Sequence, residues 1–264
     1  MLSTLSQRTR RFGPVAGRHV DARLSALPQD GVFDLVSDYA EPLAADMIAS
    51  LYGVADAQRA DLVRWMTDFS LGFEIHLDEG RVARFRTATR YLNAFLKASA
   101  ASRRTRPTDN WISDLATSTD LTDVEIMHSL RMTVLASFFP LSALISSTVH
   151  LLLANPSEMA KVRADPSLCA AAIEEALRFD PPGEAVSRGS FEGVELAGRR
   201  VEPFRQMEVL IRTANHDPTV YEDPDVFRID AGRRNHLAFG SGYRMCPGAA
   251  FARAMAQVAV SGLL

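Results

Sequence analysis

From Leu35 to Phe179 apolar residues return every three or four positions, and short capping or breaking signals separate the runs. Leu35–Tyr52 has Asp34 as a cap and Gly53 as a stop; Asp56–Phe69 and Val82–Ala98 carry their charges on one face. Leu121–Ala154 is the longest periodic segment, with Thr122 and Glu125 spaced as a capping box and Pro140 inside it, where a kink or local unwinding is expected. Ser157–Ala164 and Ser167–Phe179 are two further helices, and Pro181-Pro182-Gly183 stops the second. Only after that do short β candidates occur, at Val194–Leu196 and Gln206–Ile211. Asn215–Arg234 reads as an irregular meander, and Gly248–Leu264 returns to an apolar helix. The pattern predicts a mainly α chain with a small β part.

The 264 residues include 47% apolar and 23% charged side chains, which fits a globular domain and excludes disorder and collagen. The net charge of −3, with basic runs only at Arg8–Arg11 and Arg103–Arg106, argues against a nucleic-acid partner. The nearly apolar run Leu141–Ala154 is 14 residues long and broken by Ser, Thr and His, so no membrane anchor is expected. Met1–Arg11 lacks an apolar core, which excludes a secretory signal. Two cysteines, Cys169 and Cys246, form no disulfide framework and suit a reducing, cytoplasmic compartment.

Cys169 lies among apolar neighbours and reads as packing; Cys246 does not. It lies in Phe239-Gly-Ser-Gly-Tyr-Arg-Met-Cys-Pro-Gly248, where Gly240, Gly242 and Gly248 clear space for close backbone approach to a bulky group. Arg244 adds a fixed positive charge, and Pro247 suits the first turn of the following helix. Amides at that helix N-terminus favour a thiolate over a thiol. Such a thiolate is a metal or heme ligand, or a nucleophile. Zinc would need three or four ligands, and no second Cys or His stands at ligand spacing.

The pattern Phe-Gly-x-Gly-x-Arg-x-Cys-x-Gly resembles the heme-binding loop of the cytochrome P450 family at all six fixed positions. Glu175-Ala-Leu-Arg178, 68 residues before Cys246, resembles the family's Glu-x-x-Arg motif. Leu151–Pro156, Arg188 and Asn215–Pro218 follow in the family's order, and Gln7–Arg11 resembles its C helix. The resemblance implies one heme-binding domain over residues 1–264, from the C helix to the L helix region, with heme b on Cys246. Phe239 would shield the sulfur, and Arg244, Arg188, His236 and Arg11 would hold the propionates. Glu175 and Arg178 would form the structural motif. The implied activity is heme-thiolate monooxygenation of a small organic substrate, with electrons from a separate ferredoxin or flavoprotein reductase.

Two departures qualify that expectation. The family's acid–alcohol pair, which relays protons during oxygen reduction, falls on Phe139 and Pro140, and neither can relay a proton. A peroxide-using heme enzyme is therefore an alternative, as is a fragment or non-catalytic relative acting as scaffold or activator. The fold is expected to be incomplete, without the family's N-terminal helices and strands and without its C-terminal hairpin. In the meander, Val226 stands where an Arg often joins the Glu-x-x-Arg pair, leaving Arg228, Arg233 or Arg234 as substitutes.

Overall fold

A computed structural model describes residues 2–74, 76–232 and 235–264. The chain divides into two compact units, one of residues up to Ser146 together with Pro247–Leu264, the other Ser147–Cys246.

In the first unit the two ends of the sequence pack together. Helix α1 (Leu2–Ala26) buries Leu5, Phe12, Ala16 and Val20, and α10 (Ala249–Leu263) meets them with Phe251, 5.4 Å from Phe12 between ring centres. Gly262 permits the close approach: a Cβ there would stand 2.4 Å from Val20. The sequence pattern marks only Gln7–Arg11 of α1, because Gly13, Pro14 and Gly17 interrupt its period.

The segment expected at Leu35–Tyr52 forms a π-helical entry, Leu35–Ala40, running into α2 (Glu41–Tyr52). The Asp34 carboxylate accepts from the amides of Val36 and Ser37, and Gly53 ends α2 at φ +65°. Tyr39, at the end of the entry, donates its hydroxyl to the Ala259 carbonyl of α10 at 2.6 Å. Helices α3 (Asp56–Ser70) and α4 (Glu79–Thr105) lie side by side, Trp65 against Phe95 at 5.7 Å. The short α5 (Trp111–Ala116) has no periodicity to announce it; Asn110 caps it and Trp111 is buried.

Helix α6 (Asp123–Ala154) belongs to the first unit as far as Ser146. The capping box forms: Glu125 accepts from the Thr122 amide at 2.8 Å, and its own amide donates back to Thr122 Oγ1 at 3.3 Å. Helical structure continues through Pro140, so the expected unwinding does not interrupt it. The helix is longer than the Leu141–Ala154 run. An 18-residue stretch of it reaches a mean hydropathy of 1.6, enough by length and composition to cross a bilayer. Core helices pass the same test, and Ile126, Leu130, Val134, Phe138, Leu141 and Ile145 are buried along one side of this one.

The second unit holds the end of α6, α7 (Pro156–Ala164), α8 (Cys169–Phe179), α9 (Ile211–Asn215) and four strands. Strand β1 (Ala185–Gly189) pairs antiparallel with β4 (Gln206–Leu210), Ala185 opposite Leu210. Between them, β2 (Val194–Leu196) and β3 (Arg199–Val201) form a hairpin turned at Ala197-Gly198, both at positive φ. β2 and β4 match the sequence expectation. β1 and β3 do not, since Ala-Val-Ser-Arg-Gly and Arg-Arg-Val carry no apolar alternation. The architecture is mainly α with a small β part, as the sequence predicts.

Candidate functional site

Helix α8 carries the clearest internal anchor of the second unit. Its strongly one-sided apolar pattern buries Cys169, Ala172, Ile173 and Ala176, and this carries Glu175 and Arg178 inward with them. Arg178 is fully buried and donates to both carboxylate oxygens of Glu175, Nε at 3.0 Å and an Nη at 2.8 Å. Its other donors reach the carbonyls of Asn215 (3.0 Å), Pro224 (2.8 Å) and Val226 (3.3 Å). The guanidinium also lies over Tyr221, 5.4 Å from the ring centre. The partner expected from Arg228 arrives in another form. Its backbone amide, not its guanidinium, donates to Glu175 Oε1 at 3.1 Å, and the side chain turns toward Asp223 at 3.7 Å. Arg233 and Arg234 lie outside the described residues.

Two further residues complete this frame, Asn215 from the Asn215–Pro218 segment that carries the resemblance and Glu158, which no motif singled out. Asn215 is fully buried; its Oδ1 accepts from the Leu237 amide at 2.8 Å and its Nδ2 donates to the Leu177 carbonyl at 3.4 Å. It thereby joins α8 to the segment entering the Cys246 loop. Glu158 of α7 is buried and accepts from the Ile229 amide at 3.0 Å and from Lys161 at 2.9 Å. For Glu158 the sequence offers no motif; its role shows only once it is buried with its carboxylate on a backbone amide.

The Cys246 loop is closed by its own backbone. The Gly240 amide donates to the Leu237 carbonyl at 2.8 Å, Met245 to Gly242 at 3.1 Å, and Cys246 to Phe239 at 2.8 Å. Gly240 and Gly242 hold φ of +68° and +66°, a region that penalises a side chain. Cys246 is a free, half-buried thiol, and Gly248 caps α10 directly after it. Around it the loop exposes Arg244 and two apolar side chains, Leu237 and Met245, the latter 51% exposed. Cys169, by contrast, is wholly buried.

The remaining candidates are placed differently. Arg188 lies exposed on β1, with its guanidinium on the Ser187 carbonyl at 2.8 Å. Arg11 lies exposed on α1. His236 is buried rather than presented: Nε2 meets Glu174 at 3.3 Å and Nδ1 accepts from the Ala238 amide at 3.3 Å. A carboxylate reaching that ring would have to displace Glu174. Its ring centre lies 6.1 Å from that of Phe239. In the first unit, Phe139 and Pro140 are exposed on α6, with Phe139 set edge-on to buried Phe138 at 4.7 Å.

A half-buried thiol on a glycine-shaped loop, with exposed cationic and apolar neighbours, has the donor chemistry of a heme-thiolate ligand. No cluster of three or more His, Cys, Asp or Glu side chains suited to a bare metal ion occurs among the described residues.

Comparison with known proteins agrees with this chemistry. The cytochrome P450 family model matches residues 31–264. The chain is 31% identical over 240 residues to the biotin biosynthesis cytochrome P450 of Bacillus subtilis (strain 168), covering 88% of this chain and 59% of that one. It is 34% identical over 268 residues to the nocardicin C N-oxygenase of Nocardia uniformis subsp. tsuyamanensis, covering 98% and 65%. The structure of P450BioI in complex with a hexadec-9Z-enoic acid ligated acyl carrier protein superposes with a TM-score of 0.92 at 28% identity, over all of this chain and 70% of that one. The chain spans 59–64% of the length of the first curated relatives it matches. The fold and the motif loop therefore meet in one conclusion: the chain belongs to the cytochrome P450 family, whose cofactor is heme iron.

Proposed function

We propose that residues 1–264 act as one heme-binding domain of a heme-thiolate monooxygenase, in which the Cys246 thiolate would hold a b-type heme. The observation that carries this reading is the Cys246 loop: a free thiol, half-buried, on a turn whose two left-handed glycines are fixed by three backbone hydrogen bonds. Bound there, a thiolate-ligated heme supplies oxygen insertion, RH + O₂ + two electrons + two protons giving ROH + H₂O.

The chain's own residues do the rest. The hydrogen bonds within the loop fix the position of the sulfur before any ligand arrives, so little ordering is left to do on binding. Phe239 limits solvation of the sulfur. Arg244, Arg188 and Arg11 are exposed cations suited to carboxylates, and charge-assisted hydrogen bonds to them would orient the heme. His236 would join them only by exchanging Glu174 for a propionate, and Gly240 and Gly248 leave room for the macrocycle. Glu175 and Arg178 keep the meander and the loop entrance in register from behind.

Electrons would come from a separate ferredoxin or flavoprotein reductase, and the substrate would be a small organic molecule, in the cytoplasm. A second reading rests on Phe139 and Pro140. Pro140 brings no amide, so the Ala136 carbonyl lacks its usual partner four residues on, and no acid or alcohol stands at either position. The nearby Ser137 hydroxyl is bound to the Thr133 carbonyl. Hydrogen peroxide, which brings its own protons, would then support turnover better than O₂ with a reductase.

The test compares Cys246→Ala with Cys169→Ala after heme reconstitution. Cys246→Ala should lose the reduced-CO band of a thiolate–iron complex completely. Cys169→Ala should keep it, with stability lowered by about 1 kcal/mol for the lost buried volume. Identical spectra from the two variants would refute the ligand assignment.

A further inference from the structure

Helix α4 concentrates positive charge in a chain that is acidic overall. Between Glu79 and Thr105 it carries seven Arg or Lys side chains and one carboxylate, against a net charge of −3 for the whole molecule. Near its start the charge is neutralised: Arg81 pairs with Glu74 and Asp78, and Arg84 with Asp68. At its end Arg104 pairs with Asp123. In between, Arg86, Arg90 and Lys97 are exposed and have no acidic partner among the described residues.

Their spacing is not random. At ~100° per residue, positions 86, 90 and 97 fall within about 40° of one another, a rail roughly 16 Å long. Beside that rail runs a smooth exposed strip of small side chains, Ala83, Thr87, Ala94 and Ala98. Its far edge is Tyr91, 47% exposed and stacked on Trp65 at 6.0 Å and 11°, with the Arg90 guanidinium 5.2 Å from its ring. Exposed tyrosine and arginine held by a rigid aromatic neighbour are typical of binding hot spots.

We infer that this face of α4 docks an acidic helix of a partner protein, whose carboxylates line up along the Arg86–Arg90–Lys97 rail while its backbone lies over the strip of small residues. Charge complementarity selects the occupant: unpaired cations along one edge of a helix match carboxylates on a facing helix, as in the edge positions of coiled coils. Small side chains let two helices approach closely. A membrane surface fits less well, because an interfacial helix buries large apolar side chains and this strip offers only alanine, threonine and one tyrosine. The inference does not depend on heme binding.

The probes are two labelled helical peptides of identical composition. One has its glutamates at i, i+4 and i+11 on one edge; the other has them spread around the helix. Fluorescence anisotropy with the full chain should show the aligned peptide binding about tenfold more tightly. The triple variant Arg86→Glu/Arg90→Glu/Lys97→Glu should lose that preference and transfer it to a lysine version of the aligned peptide. Arg10→Glu/Arg163→Glu/Arg199→Glu, which changes net charge equally, should retain it. If the triple reversal lowers helix content by circular dichroism, the triple Gln variant serves for the same comparison. Equal binding of the two peptides, or a preference that survives the reversal, would overturn the inference. So would loss of the preference to phosphatidylglycerol vesicles added at equal charge, which would mark a general polyanion surface.

Discussion

Arg178 has no donor left over, and that makes its partner Glu175 expensive to remove. Truncating one member of a buried ion pair leaves the other charge uncompensated, at a cost of about 3–5 kcal/mol. Glu175→Ala should therefore lower the free energy of unfolding by that amount in urea titration, whereas Asp61→Ala, which breaks the exposed pair with Arg64, should change it by less than ~1 kcal/mol. Glu174 is no neutral neighbour, because it holds His236. At Gly53 the constraint is conformational and steric at once. Its φ is +65°, and a Cβ would stand 2.2 Å from Asn110 Nδ2. Gly53→Ala should cost at least ~1 kcal/mol and lower the melting temperature by several degrees, since Asn110 also caps α5 and has to move. An unchanged melting temperature would show that the α2–α5 corner relaxes freely.

At the scale of elements, α6 bears on the chemistry most directly. If Phe139 and Pro140 interrupt proton delivery, Phe139→Glu/Pro140→Thr should increase product formed per NAD(P)H consumed in the heme-loaded chain with a reductase. It should also increase helical stability, because an interior proline costs about 3 kcal/mol relative to alanine and threonine costs far less. Tight coupling in the unaltered chain would show that another group already delivers the proton. Much of the element order is legible in the residues themselves. Capping and stop signals are clear at Asp34, Gly53 and Thr122–Glu125, and each does what its chemistry implies. The interior of α1 is not legible, because Gly13, Pro14 and Gly17 break its period and only packing against α10 overrides them. Nor are β1 and β3, whose residues are mostly exposed and lack alternation. The loop motif names its residues, but a motif cannot show that His236 faces Glu174, or that Arg228 serves through its amide. The charged face of Val82–Ala98 is legible in its spacing, but which of its cations stay unpaired is not, since Arg84 meets Asp68 only in the fold.

For the molecule as a whole, the first unit carries a pH dependence of its own. His19 of α1 shares a 2.7 Å hydrogen bond with Ser50 of α2. Burial lowers its pKa below 6.5, and Arg59, Arg18 and Arg23 act in the same direction against the opposing pull of Asp46. The folded chain therefore resists a proton that the unfolded chain accepts. Stability should be full above about pH 6.5 and decline as the pH falls through the lower folded value. His19→Gln should flatten that slope in thermal melts from pH 7 to pH 5; an identical slope would place its origin elsewhere. The packing of α1 against α10 has a consequence for synthesis as well. The apolar side of α1 is matched by α10, which is synthesised more than 220 residues later. At ~5–20 residues per second, α1 waits roughly 10–50 s for that partner. During that interval Leu5, Phe12 and Val20 stay unmatched, so the nascent chain needs either chaperone cover or rapid completion, and slow codons before α10 should lower the soluble yield.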